Sequence, residues 1–337
     1  MQTSTQSRRR SVAQALSFRN ISALYLFAVI FIVFSLWVPR TFLNWNTWRA
    51  VIDTESLTAI VAIGLTISLA AGVFDLAIGM QVGLAGIVVA QLLSALQVPT
   101  FLAIVLTIAL SALVGLVSGL LVVKLRIDSF ISTLALASVL TALVQWVSNS
   151  QQVLNLPEDF QGLGTQDILG ITLPVWIMIV LAIGAWYVLD RTPAGRQIYA
   201  VGGNPVAARL AGVPVQRVIL LSLVAGGAIA AVAGVLFSAR IGVGDPTVGP
   251  AFLLPAFAAA TLGSTQFKAG RYNIIGTLVA VYVLAAGSKG LQLAGAPVWI
   301  PDLFNGLAII LAVGLAKWEG RSLRARAVRR KLAEPAV

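Results

Sequence analysis

The groups able to do chemistry along this chain are hydroxyls, amides and a few isolated carboxylates. "RIDSFISTLALASVLTALVQW", residues 126–146, begins with Asp128 and Ser129 and carries Ser132, Thr133 and Gln145 through an apolar run, with Phe130 and Trp146 alongside. Hydroxyls and amides beside aromatic faces suit a neutral polyhydroxylated ligand, which needs hydrogen bonds and a flat apolar surface rather than an opposite charge. The same groups also serve interhelical hydrogen bonding and helix capping, so both readings stand. "AGVFDLAIGMQVGLAG", residues 71–86, holds Asp75 where it can cap the following helix or touch a ligand. Asp75, Asp128, Ser129, Phe130, Ser132, Thr133, Gln145 and Trp146 are therefore the candidate substrate-path or gating residues.

The chain has no cysteine and no histidine, which removes disulfides, thiol chemistry and imidazole catalysis together. Nothing in it matches a phosphate-binding glycine loop, a dinucleotide turn, paired catalytic carboxylates or a zinc motif, so a membrane enzyme has no residues to stand on and no metal is expected. Asp75 and Asp128 fall near the ends of apolar runs. An ion-driven carrier places ionisable groups at mid-membrane depth; their scarcity here disfavours a stand-alone secondary carrier and points to energy supplied from outside the chain.

These residues must be positioned by membrane helices. With 58% hydrophobic and 10% charged residues over 337 positions and a mean hydropathy of +0.94, the chain cannot clothe a water-facing surface. Ten apolar runs approach the ~20 residues needed to cross a bilayer: 21–39, 57–74, 77–96, 99–123, 129–148, 171–189, 216–239, 248–266, 272–293 and 298–316. The expected fold is an all-α polytopic membrane protein with both termini cytoplasmic. That orientation places 19 of 23 basic residues inside, leaving only Arg40, Arg49, Arg240 and Lys289 outside, as the positive-inside rule requires. The net charge of +11 thus reads as an orientation signal, and nucleic acid is not an expected partner.

The expected organisation is a basic cytoplasmic segment at 1–20, one transmembrane domain at 21–316 containing a cytoplasmic loop at 190–217, and a basic tail at 317–337 that lies in cytosol or against anionic headgroups. "GLVSG" at 115–119 reads as a helix-contact position. A weak likeness between "SGLLVVKLRIDSFISTLAL" and "KGLQLAGAPVWIPDLFNGLAI" suggests a possible internal duplication.

Within the loop stands "GRQIYAVGGNPVAARLAGVPV", residues 195–215. Asn204 is a favoured N-cap, Pro205 fits the first helical position and Gly212 suits a left-handed stop, so a two-turn helix is expected from Pro205 to Ala211. Val206, Leu210 and Val213 would share an apolar edge, with Ala207, Ala208 and Arg209 beside it. So short a helix needs other contacts to persist, either in a protein groove or at the membrane surface.

The stretch closely resembles the cytoplasmic loop of permease subunits of bacterial ABC sugar importers of the ribose, xylose, arabinose and galactose type. In that family the Ala-Ala-x-x-x-Gly core, here Ala207, Ala208 and Gly212, belongs to a coupling helix that contacts the ATPase. "GVFDLAIG" resembles the family's Gly-Gly-x-Asp-Leu-Ser-x-Gly, "DSFISTLAL" its Asn-x-Phe-Ile-x-Thr-Leu-Gly, and "AAATLGSTQFKAGRYNIIGTLVAV" its later glycine-rich stretch. Val73, Ala77, Asp128, Ala135 and Ser264 depart from these patterns.

The resemblance covers about residues 55–316. It implies a multi-pass permease of the bacterial cytoplasmic membrane that pairs with a second permease subunit, two ATP-binding subunits and an extracytoplasmic sugar-binding protein. ATP and magnesium would sit on the ATPase, with no cofactor on this chain. Arg196, Asn204, Pro205, Arg209 and Leu210 would hold the loop or meet the ATPase, and Gly202, Gly203 and Gly212 would permit its turns. Related permeases for branched-chain amino acids or nucleosides share much of this pattern.

Overall fold

The computed structural model describes residues 22–267, 270–297, 299–308 and 310. The N-terminal segment 1–20, the end of the tenth expected span and the tail at 317–337 lie outside them. The elements run α1 (Ser22–Trp37), α2 (Pro39–Phe42), α3 (Trp45–Ala70), α4 (Ile78–Ser94), α5 (Thr100–Val123), α6 (Ser129–Ser148), α7 (Glu158–Thr165), β1 (Asp167–Ile168), β2 (Ile171–Thr172), α8 (Leu173–Arg191), α9 (Pro193–Gly203), α10 (Pro205–Leu210), α11 (Val215–Ile241), α12 (Gly249–Ser264) and α13 (Ile274–Leu293). Among the described residues, six helices are long and apolar enough to cross a membrane: α3, α5, α6, α8, α11 and α13. The shorter α4 and α12 and residues 27–37 of α1 are also apolar.

Local chemistry sets many of these boundaries. Asn44 caps α3 by accepting from the Asn46 amide, Asp128 caps α6 from Phe130 and Ile131, and Asn273 caps α13 from Gly276. Left-handed residues Asn149 and Gly242 end α6 and α11. The expectation of an all-α chain needs a small correction: β1 and β2 pair as an antiparallel hairpin, and Val153 bridges Gly244.

The largest boundary correction is at α3, which starts at Trp45 rather than 57. Its first turns carry Arg49, Asp53 and Glu55, which interrupt the apolar run. They are accommodated by groups distant in sequence: Arg240 pairs with Asp53 at 2.7 Å, Thr172 bonds Asp53, and Arg49 pairs with Asp167. Helix α3, with 26 residues, extends about 39 Å.

Helix α11 is the central post, packed against α3, α4 and α5. Small residues permit this: a Cβ on Gly115 of α5 would collide with the Leu223 backbone, so the expected contact role of "GLVSG" is realised. In contrast, α5 and α6 turn large apolar side chains such as Phe101, Leu113, Ile131 and Trp146 outward, as lipid-facing helices do.

Candidate functional site

The loop at 190–217 folds as two helices rather than one. Helix α9 follows α8 directly, with the Thr192 hydroxyl accepting from the Gly195 amide at 3.4 Å. Asn204 then accepts from the amides of Val206 and Ala207 at 3.1 and 3.0 Å, opening α10. The expected end shifts by one residue: α10 stops at Leu210, Ala211 is its cap, and Gly212 takes the expected left-handed turn at φ +82°.

Gly202 and Gly203 do not make turns; they form the end of α9. Gly202 matters through packing, because a Cβ there would collide with the Ala70 carbonyl oxygen and lie 3.1 Å from the Gly72 amide nitrogen. α9 is thereby rooted on the bend between α3 and α4. Tyr199 supplies a second root, donating its hydroxyl to the Tyr272 carbonyl at 2.7 Å, with the Arg271 guanidinium 4.0 Å from its ring centre. Burial pushes the Tyr199 phenol above its ordinary pKa; Asp190 adds to the rise and Arg271 opposes it. A phenol held protonated in this way keeps its donor role. Neither root was found from the sequence, although a tyrosine in an Arg-rich loop was a usable signal.

On α10, Ala208 is buried against the protein, whereas Val206 and Leu210 stand 69% and 86% exposed. Arg196 and Arg209 are exposed as well. The pair of helices therefore presents apolar tips and cations outward from a tightly held base.

Asp75 lies near a helix end, as expected, but the bend buries it fully. One carboxylate oxygen accepts from the Ala77 amide at 3.1 Å, the expected capping bond. The other has no hydrogen-bond partner and faces Gly226 of α11, where a Cβ would lie 3.6 Å from it and 3.1 Å from the Ser68 hydroxyl.

The hydroxyls of α6 are engaged with this same bend. Ser129 accepts from the Phe74 amide at 3.2 Å, and Thr133 accepts from Leu76 at 3.1 Å while donating to backbone carbonyl oxygen. Ser132 is buried without a hydrogen-bond partner. Asp128 is exposed and occupied as a cap. Gln145 and Trp146 sit at the far end of α6, about 18 Å from Thr133 along the axis, so they do not join the others in one site. Phe130 does: its ring centre is 6.5 Å from that of Phe74, which stacks on Phe257 at 6.1 Å. Phe74 and Phe130 are 42% and 50% exposed, giving an aromatic face beside the bend.

At the opposite end lie α7, the hairpin and the Arg49–Asp167 and Arg240–Asp53 pairs. Arg49 and Arg240 thus stand at the end away from Arg196, Arg209, Arg217 and Arg271.

Six long apolar helices among the described residues, with a rooted pair of short helices at one end, are the architecture of a multi-pass membrane protein. The family described as "Branched-chain amino acid transport system / permease component" matches residues 50–313, and the chain belongs to it. Among similar proteins, the ribose import permease protein of Escherichia coli strain K12 is 33% identical over 317 residues, covering 93% of this chain and 98% of that protein. The L-arabinose ABC transporter permease protein of Azospirillum brasilense is 33% identical over 89% of this chain and 88% of its own length. The D-allose transport system permease protein of E. coli K12 is 27% identical over 89% and 92%. No solved structure matches the chain significantly. The protein is a multi-pass permease of the inner membrane.

Proposed function

We propose that this chain is the membrane-spanning subunit of an ATP-driven importer for a monosaccharide or related polyol. It would work with a second permease subunit, two cytoplasmic ATP-binding subunits that carry ATP and magnesium, and an extracytoplasmic sugar-binding protein. The observation that carries the reading is the α9–α10 pair: Val206 and Leu210 are exposed at its tip, while Gly202 and Tyr199 root its base on the bend beside Asp75.

A push on α10 reaches that bend through backbone contact, and the bend is hydrogen-bonded to Ser129 and Thr133 of α6. Coupling needs such a connection, because a partner can shift a conformational equilibrium only through contacts that differ between the two states. The aromatic face of Phe74, Phe130 and Phe257 suits a sugar ring and is the candidate wall of a path between permease subunits. The sugar names of the similar proteins support this substrate class.

The family's description favours a second reading, a branched-chain amino acid importer. Uptake competition among pentoses, hexoses, branched-chain amino acids and nucleosides separates the two. For coupling, the Gly212→Val/Arg209→Glu double variant is expected to reach the membrane but to co-purify poorly with the ATPase and to lose uptake. Normal co-purification with normal uptake would sink the coupling assignment.

A further inference from the structure

Helices α8 and α11 both pack on α3 but leave a slot between them, with a volume of about 560 Å³. Ile67 of α3 floors it; Leu181, Gly184 and Val188 of α8 and Leu221 and Ala225 of α11 wall it. Gln197 and Ile198 of α9 close one end. Ser222, also in the lining, spends its hydroxyl on the Val218 carbonyl of its own helix at 2.8 Å. The slot lies along the half of α8 and α11 nearest the α9–α10 pair.

Water has almost no partners along this lining, and an empty cleft would forfeit dispersion contacts on every wall. In a bilayer the available filler is a lipid tail. From Val180 to Val188 the slot runs about 12 Å along α8, close to the ~15 Å thickness of one hydrocarbon leaflet. Each wall is followed within a turn by a cation just outside the slot lining. Arg191 follows Gly184 and Val188 by seven and three residues, and Arg217 precedes Leu221 and Ala225 by four and eight. Arg191 rests over the Trp186 ring at 5.5 Å and Arg217 lines a separate pocket with Arg209 and Val213; both arginines are exposed and free to swing toward the slot's end.

The geometry points to a phospholipid site in which an acyl chain fills the slot and an anionic headgroup lies between Arg191 and Arg217. A basic pair at this depth matches the anionic leaflet surface that attracts Lys and Arg in cytoplasmic segments. The site adjoins α9, so its occupancy bears on the helix that roots the loop.

The test uses the full chain, reconstituted into nanodiscs holding phosphatidylglycerol and phosphatidylcholine, re-extracted mildly and examined by native mass spectrometry. Gly184→Leu fills the slot. A Cβ at Gly184 meets nothing within 4 Å, so the variant is expected to keep its fold and elute as a single species, and to lose one retained phospholipid per chain. Retention equal to wild type in a monodisperse Gly184→Leu protein overturns the site. Arg191→Gln/Arg217→Gln is expected to hold the tail but to lose roughly fivefold in phosphatidylglycerol preference per arginine removed; unchanged preference overturns the headgroup assignment. The chain has no native cysteine, so Gly184→Cys provides a third arm. Oxidative cross-linking through that residue into a dimer would mean that a second copy, and not a lipid, occupies the slot.

Discussion

The two ends of the helix bundle are built on different principles. At one end, α9 and α10 are rooted through backbone contact and a tyrosine hydroxyl, yet their tip exposes Val206 and Leu210. At the other, Asp53, Arg240, Thr172, Arg49 and Asp167 bond one another, joining α3, α11 and the hairpin. Internal pairing fixes geometry, whereas exposed apolar tips on a firm base leave contact energy for a partner. The difference separates an end whose tip is left open to a partner from an end closed by its own pairs.

The contrast breaks most severely at the root. Gly202→Val places side-chain atoms against the Ala70 carbonyl, and overpacking of this kind costs ~1–3 kcal/mol. Uptake by membranes containing the complete importer is expected to fall about tenfold or more. Wild-type uptake with normal membrane abundance would show that α9 need not be seated on the bend.

Next in size is the tip. Val206→Asp/Leu210→Asp is expected to weaken ATPase association in pull-downs by about tenfold, equivalent to about 1.4 kcal/mol of lost contact. Unfolding stability should stay within about 0.5 kcal/mol, since both side chains are exposed. A comparable loss of stability would mean that the tip packs on its own permease.

The opposite end should respond the other way round. Arg240→Met removes the 2.7 Å partner of Asp53, whose side chain is only 17% exposed, and is expected to cost about 1–2 kcal/mol in thermal unfolding with ATPase association unchanged. The smallest effect is expected from Arg49→Gln. Its pair with Asp167 is exposed on both sides, and its loss should cost under about 0.5 kcal/mol and diminish further in high salt.

Much of this architecture was legible along the chain. Apolar runs located most crossing helices, and Asp128, Asn204 and Gly212 marked helix limits because capping is a local interaction between a side chain and nearby amides. The start of α3 was not legible: Arg49, Asp53 and Glu55 look like loop residues until Arg240 and Thr172 arrive from elsewhere. Nor was the helical state of α9, whose Gly202 and Gly203 read as turn residues. Ser129 and Thr133 stand out in the sequence as hydroxyls in an apolar run, but their bonds to the backbone at 74–76 depend on where the bend lies. Gln145 and Trp146 shared their helix but not their site.

By itself the sequence determined the solvent, the crossing helices and the capped loop, since hydropathy and capping act over one helix length or less. Tertiary structure alone decided that Asp75 is buried, that Gly202 seats the loop on its bend, and that α8 and α11 stand apart. Each of these depends on which surfaces meet across long sequence separations, and no local pattern encodes that.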